Sequence, residues 1–185
     1  YIKDYSKIQN IYSNISIQTN WTNLKFIDKK EIAPFRIMAY DLECTSCDGN
    51  FPQPERPDDK IIQIGSTFNY IGNKKCYYKN MLALGTCDPI EGVDVLSFDN
   101  EKDLILAFIK MVLKQDPDYK IGYNNEGFDD IYLYERAKLL GIEDEILKLS
   151  KVKNRKVNFA IKDLSSSALG DNKLKYLDMH GRISI

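Results

Sequence analysis

Asp41-Leu42-Glu43 sets two carboxylates two positions apart at the end of an apolar run, Ile37-Met38-Ala39-Tyr40. On an extended strand, residues i and i+2 share one face about 6.6 Å apart along the chain, within reach of a shared divalent cation. By itself an Asp-x-Glu is more often a pair of solvated acids, so the cation reading needs a further ligand. Asp129 is the candidate. It follows Ile121-Gly122-Tyr123-Asn124-Asn125-Glu126-Gly127-Phe128, where a strand gives way to a helix. A helix N-terminus favours an ionised carboxylate, the form a metal ligand must take. Standing alone, Asp129 reads first as a helix cap. Two other groups could do chemistry. Cys44 and Cys47 could form half a zinc site or a redox pair, but there is no second such pair and the one histidine is His180; either use is the weaker reading. Lys148, Lys151, Lys153, Arg155 and Lys156 could meet phosphates, and read equally as a solvated loop.

Those side chains need a frame. Arg36 to Glu43 reads as a central strand, with Ile37, Ala39, Asp41 and Glu43 on one face and Met38, Tyr40 and Leu42 on the other. The prolines of Phe51-Pro52-Gln53-Pro54-Glu55-Arg56-Pro57 exclude regular structure there. Lys60 to Tyr70 and Lys75 to Leu84 read as two further strands joined through Gly72-Asn73. Asn100 to Gln115 is the strongest helix. Asn100 can cap it, Glu101 and Asp103 suit its first turn, and Leu104, Phe108, Met111 and Val112 form an apolar stripe before Pro117. Tyr119 to Tyr123 reads as a short strand, and Asp129 to Leu140 as a helix closed by Gly141. Residues 1–33 suggest short strands, with alternation from Ile11 to Ile17 and around Leu24 to Ile27. Residues 148–176 read as basic and Ser-rich turns with a hairpin at Gly170-Asp171-Asn172. The sum is an α/β domain with a mixed sheet.

Composition narrows the class without naming a function. The chain has 185 residues, 43% of them hydrophobic and 29% charged, which fits one globular domain and part of a second. A net charge of −1 gives no global signal for nucleic acid, although a local basic groove beside an acidic site is compatible with it. No apolar run approaches the ~20 residues of a membrane span and no signal peptide opens the chain, so no membrane partner is expected. Four cysteines are too few for a disulfide framework, and a reduced compartment is expected.

Taken together, the Asp41/Glu43 and Asn124-to-Asp129 segments resemble the first and second exonuclease motifs of the DEDD nucleases in family B DNA polymerases. Ile32-Ala33-Pro34-Phe35-Arg36, Phe51-Pro52-Gln53-Pro54-Glu55-Arg56, Lys60-Ile61-Ile62-Gln63-Ile64, Asp116-Pro117-Asp118, Tyr132-Leu133 and Arg136-Ala137 look like the delta-type catalytic subunit. Ser165-Ser166-Ser167-Ala168-Leu169-Gly170-Asp171-Asn172 with Gly181-Arg182 is similar to the delta-type polymerases of large DNA viruses.

The resemblance implies an RNase H-like mixed sheet with flanking helices over residues 34–185, and residues 1–33 as the end of a polymerase N-terminal domain. It implies that Asp41, Glu43 and Asp129 hold two Mg²⁺ or Mn²⁺ ions for 3′→5′ proofreading hydrolysis, with Asp41 bridging the two. Asn124 would orient the site or the terminal nucleotide, with Phe128 packed behind it. Phe51 would wedge between the last bases of a frayed primer, or else anchor its proline-rich loop in the core. DNA is the implied partner, as a single-stranded 3′ end or primer–template, with a sliding clamp and accessory subunits as candidates. The implied compartment is the nucleus for a cellular protein, and the host nucleus or a cytoplasmic replication site for a viral one. Both ends are expected to be truncations, with a third motif and the polymerase carboxylates beyond Gly181-Arg182, leaving three of four expected exonuclease acids and little activity in this chain alone. A free-standing exonuclease and a silent nucleic-acid-binding module are the rival readings.

Overall fold

The computed structural model describes residues 1–9, 13–166 and 170–185. In chain order the elements are β1 (Ser6–Lys7), β2 (Ile17–Gln18), β3 (Arg36–Cys44), β4 (Ile61–Tyr70), β5 (Tyr78–Leu84), β6 (Asp94–Phe98), α1 (Glu101–Gln115), β7 (Tyr119–Ile121), α2 (Asp129–Leu139), α3 (Glu143–Ile146), β8 (Asn158–Ser166), β9 (Gly170–Asp178) and β10 (Ile183–Ser184). Six strands form one mixed sheet in the order β10-β7-β3-β4-β5-β6. β3 runs antiparallel to β4 and β4 to β5, while β7 is parallel to β3, β10 to β7 and β6 to β5. This is the α/β, RNase H-like arrangement that the motifs implied.

The core lies between the sheet and its helices. Met38, Tyr40 and Leu42 turn inward from β3, and Leu104, Ile105, Phe108, Ile109, Met111 and Val112 meet the sheet from α1. Phe108 lies with its ring centroid 5.2 Å from that of Tyr40. Each large apolar side chain buried here contributes about 1.5–3 kcal/mol by leaving water. Asn100 caps α1 as its position suggested, its Oδ1 accepting from the Asp103 amide at 2.9 Å. At the far end of α2, Gly141 takes φ +69°, and the amides of Gly141 and Ile142 close on the Lys138 and Ala137 carbonyls. That pairing is a Schellman stop, and it is why the helix ends there.

Several expectations need correction. β5 starts at Tyr78, not Lys75, because the β4–β5 register sets Phe68 against Tyr78 and gives residues 71–77 to the connection. Leu24 to Ile27 forms no strand; Leu24 makes only an isolated bridge to Ile2. In the Ile11-to-Ile17 stretch the described part contributes only the start of β2, and residues 10–12 lie outside the described residues. Gly170, Asp171 and Asn172 belong to β9, paired with Ser166, Ser165 and Leu164, so they are strand and not turn; residues 167–169 lie outside the described residues. The surrounding segment is a long hairpin instead of a run of turns. β6 and α3 had no counterpart in the sequence reading. The first has no buried position and so no inward–outward alternation to mark it, and the second is four residues long. Among the described residues no helix is long and apolar enough to cross a membrane.

Candidate active site

The alternation of β3 places Asp41 and Glu43 on the face opposite the core, both exposed, while Tyr40 and Leu42 are buried at 3% and 5% exposure. Their strand is held on one side by β4 along its whole length, Asp41 opposite Gly65 and Glu43 opposite Gln63. The ladder slips one residue between Glu43 and Cys44. A bulge there ends regular pairing just after the second carboxylate, a common arrangement next to a site.

On its other side β3 is paired only from Ile37 to Ala39, because β7 stops at Ile121. Two side chains take over the vacated edge. Asn125 Nδ2 donates to the Tyr40 carbonyl at 3.0 Å, and the Leu42 amide donates to Asp129 Oδ1 at 2.9 Å. The connection after β7 is shaped for this. Asn124 turns the backbone at φ +58°, and its carbonyl accepts from the amides of Gly127 and Phe128 at 2.8 and 3.0 Å. A Cβ at position 122 would stand 1.7 Å from Asn125 Oδ1, so only glycine lets that side chain lie back across the loop.

Phe128 holds the N-cap position and no side chain caps α2, so Asp129 is not the cap its position suggested. Its carboxylate is seated on the backbone of Leu42, between the positions of Asp41 and Glu43, and the residue is 2% exposed. Burial pushes its pKa up to about 6, and the nearby charges of Asp41 and Asp130 add to that, against the amide of Leu42. The helix N-terminus that favours an ionised Asp129 is opposed here by desolvation and like charge, and a pKa of about 6 still leaves the carboxylate ionised at neutral pH. Such an under-neutralised buried carboxylate beside a second acid has the chemistry of a ligand set for a hard divalent cation. Its geometry is open. Among the described residues no three His, Cys, Asp or Glu side chains are gathered around one metal position.

The remaining candidates sort by place. Phe51 is 67% exposed and does not anchor its loop in the core. Its ring lies edge-on to Phe128 with centroids 5.2 Å apart, and Phe128 in turn lies 5.1 Å from Tyr132, lining a shallow cleft of about 100 Å³. Asn124 is exposed on the turn that leads into Phe128 and Asp129. Cys44 is a core-flanking thiol that burial pushes up to about 12, and all four cysteines are free. Of the basic run, Lys148, Lys151 and Lys156 are spent on Glu145, on Asp116 with Asp118, and on Asp144. Lys151 meets Asp118 just before β7, at the end of the sheet opposite the carboxylates. No role was read from sequence for Asn125, Lys120, Asp130 or Arg136, although a tyrosine on the core face of β3 demanded a partner for its hydroxyl. Asp130 is that partner.

Residues 2–185 match the family described as DNA polymerase family B, exonuclease domain. The DNA polymerase of Acanthamoeba polyphaga mimivirus is 43% identical over 173 residues, which is 91% of this chain and 9% of that protein. The DNA polymerase of Pyramimonas orientalis virus is 46% identical over 132 residues, 71% of this chain and 11% of the relative. The DNA polymerase delta catalytic subunit of rice is 38% identical over 156 residues, 84% of this chain and 14% of the relative. The chain thus spans about a tenth of the length of these relatives.

Proposed function

The chain belongs to the exonuclease domain of the family B DNA polymerases, and on that premise we propose that it removes nucleotides from the 3′ end of single-stranded or frayed DNA by metal-assisted phosphodiester hydrolysis. The observation that carries this reading is the seat of the Asp129 carboxylate on the Leu42 amide, between Asp41 and Glu43. Asp41, Glu43 and Asp129 are the residues that would hold Mg²⁺ or Mn²⁺. Bound there, such ions would lower the pKa of an attacking water and stabilise charge on the leaving oxygen. The chain's own part is positioning. The Leu42 amide fixes the Asp129 carboxylate, Asn125 fixes the β3 backbone ahead of Asp41, and Phe51 offers a face on which the terminal base can stack, worth about 1–3 kcal/mol whatever the base. Asn124 stands beside Phe128 to orient the last nucleotide. Residues 34–185 are the exonuclease unit in this reading, and residues 1–33 belong to a preceding polymerase domain. The DNA partner is a primer end or primer–template, with a clamp and accessory subunits acting on the longer protein.

The test is digestion of a 5′-labelled single-stranded oligonucleotide with Mg²⁺ or Mn²⁺. With no three acids gathered around one position among the described residues, the 185-residue chain is expected to cut slowly at best. A polypeptide extended through a polymerase reading frame should shorten the DNA stepwise from its 3′ end. Undiminished cutting by the extended Asp41→Ala variant would sink the assignment. Binding without cutting by the extended protein would point instead to a silent nucleic-acid-binding module.

A further inference from the structure

The stretch from Cys47 to Asp59 contains only turns, yet it holds Phe51 against Phe128, the residue before Asp129. Its order comes from buried polar groups, on a neighbouring helix and at its own end. Arg136 of α2 is 1% exposed. Its Nη1 donates to the carbonyls of Pro54 and Arg56 at 3.0 and 2.7 Å, and its Nη2 to that of Pro57 at 3.3 Å. The remaining guanidinium donors engage Glu101 of α1, Nε at 2.8 Å from Oε1 and Nη2 on Oε2. Glu101 also accepts from the Ile61 amide at 2.9 Å, which ties the clamp to the first residue of β4. From the other side the buried Asp59 carboxylate accepts from the amides of Cys47 and Gln53, each at 2.8 Å.

A guanidinium presents five donors in a fixed planar fork, so it can serve a carboxylate and three carbonyls at once; an ammonium cannot. The arrangement concentrates that capacity on the loop. The geometry points to Arg136 as a positioning residue for the substrate end: it fixes the 54–57 carbonyls so that Phe51 stays seated on Phe128, next to Asp129 in the chain. This rests on the function proposed above, in which Phe51 stacks on a terminal base.

The experiment measures binding of a fluorescent oligothymidylate to the chain, with Ca²⁺ in place of Mg²⁺, together with hydrogen exchange of the amides of residues 47–59. Arg136→Lys keeps a cation beside Glu101 and loses the fork. Asp59→Asn loosens the same loop without touching either helix, should the first variant fold poorly. Each is expected to speed exchange across 47–59 while leaving β3 and β4 protected, and to weaken binding by about 5- to 150-fold, the loss of one stacked base. Phe51→Ala should weaken binding equally, and Arg136→Lys added to it should weaken binding no further. A merely structural arginine would add its loss in either background. Unchanged exchange in both variants, or an undiminished loss in the Phe51→Ala background, overturns the proposal. An inert Phe51→Ala, or no binding by the unaltered chain, counts against the stacking role itself, and the exchange result then decides the clamp alone.

Discussion

Asp129 and Asp130 are consecutive, both in the first turn of α2, and both buried, at 2% and 0% exposure. They feel the same helix N-terminus, yet they are held in different ways. Asp130 is surrounded by donors: the Tyr40 hydroxyl and the Lys120 ammonium bond its carboxylate, and the Leu177 amide approaches at 3.4 Å. Those partners come from β3, β7 and β9, so one side chain joins the site strand, its neighbour and the hairpin. Asp129 has the Leu42 amide and, beyond it, the charge of Asp41. Full satisfaction marks a carboxylate that builds the fold, while burial with incomplete neutralisation marks one kept for something absent from the polypeptide. The two acids differ by which face of α2 each occupies, and one residue of helical rotation decides it.

The largest effect that would sharpen this contrast is on Asp130. Asp130→Ala strands a buried ammonium, a phenol and an amide together, and removing one member of a buried pair costs about 3–5 kcal/mol. Urea unfolding should show that loss, and a change under about 1 kcal/mol would break the comparison. Phe108→Ala supplies the apolar reference beneath the same strand, since Phe108 is 1% exposed against Tyr40. It should cost about 3–5 kcal/mol as well. If it costs far less, α1 is not the lid of this core and the loss at Asp130 cannot be read against it.

Asp129 should behave in the opposite sense. Its folded pKa is raised from 3.8 to about 6. A carboxyl with a raised folded pKa favours the folded state only while both states are protonated, and it destabilises the fold as pH climbs between the two values. In metal-free protein, its contribution should therefore fall between about pH 4 and pH 6, by up to about 3 kcal/mol for a two-unit shift. Asp129→Asn, which retains an acceptor for Leu42, should flatten that part of the pH profile and be the more stable form at neutral pH. A pH profile that Asp129→Asn leaves unchanged in that window would show Asp129 to be as well neutralised as Asp130.

Much of the frame was legible because period and punctuation agree with it. The alternation of Arg36 to Glu43, the cap at Asn100, the stripe through Leu104 and Phe108, and the stop at Gly141 are local signals, and all four stand in the structure. β6 was illegible for the converse reason. An edge strand pairs on one side, and its formation depends on the free edge of β5 more than on its own residues. At the site, carboxylate spacing picked out Asp41 and Glu43, and the strand-to-helix handover picked out Asp129. Asn125 and Arg136 were hidden because their partners are backbone groups of Tyr40, Pro54, Arg56 and Pro57, distant in sequence. A lysine in a strand and an arginine on a helix read as solvent-facing. Only the packed structure shows Lys120 and Arg136 turned inward, each against an acid.

The smallest stability effect is expected at Asp41, and it separates catalytic need from structural need most cleanly. The side chain is exposed, and among the described residues it makes no hydrogen bond or ion pair. Removing it leaves no buried group unsatisfied, so Asp41→Ala should change unfolding free energy by no more than about 0.5 kcal/mol. The sign should be toward greater stability in metal-free protein, because the like charge that adds to the raised pKa of Asp129 is gone. Titration should show this directly, the Asp129 carboxyl moving back down from about 6 in the variant. Added Mg²⁺ should stabilise the unaltered chain more than the variant, since a cation bound to the folded form alone raises its stability with concentration. In the extended polypeptide, the same substitution should abolish 3′-end shortening. A variant that is markedly destabilised without metal, or an Asp129 carboxyl that titrates unchanged, would mean that the two acids do not form one site.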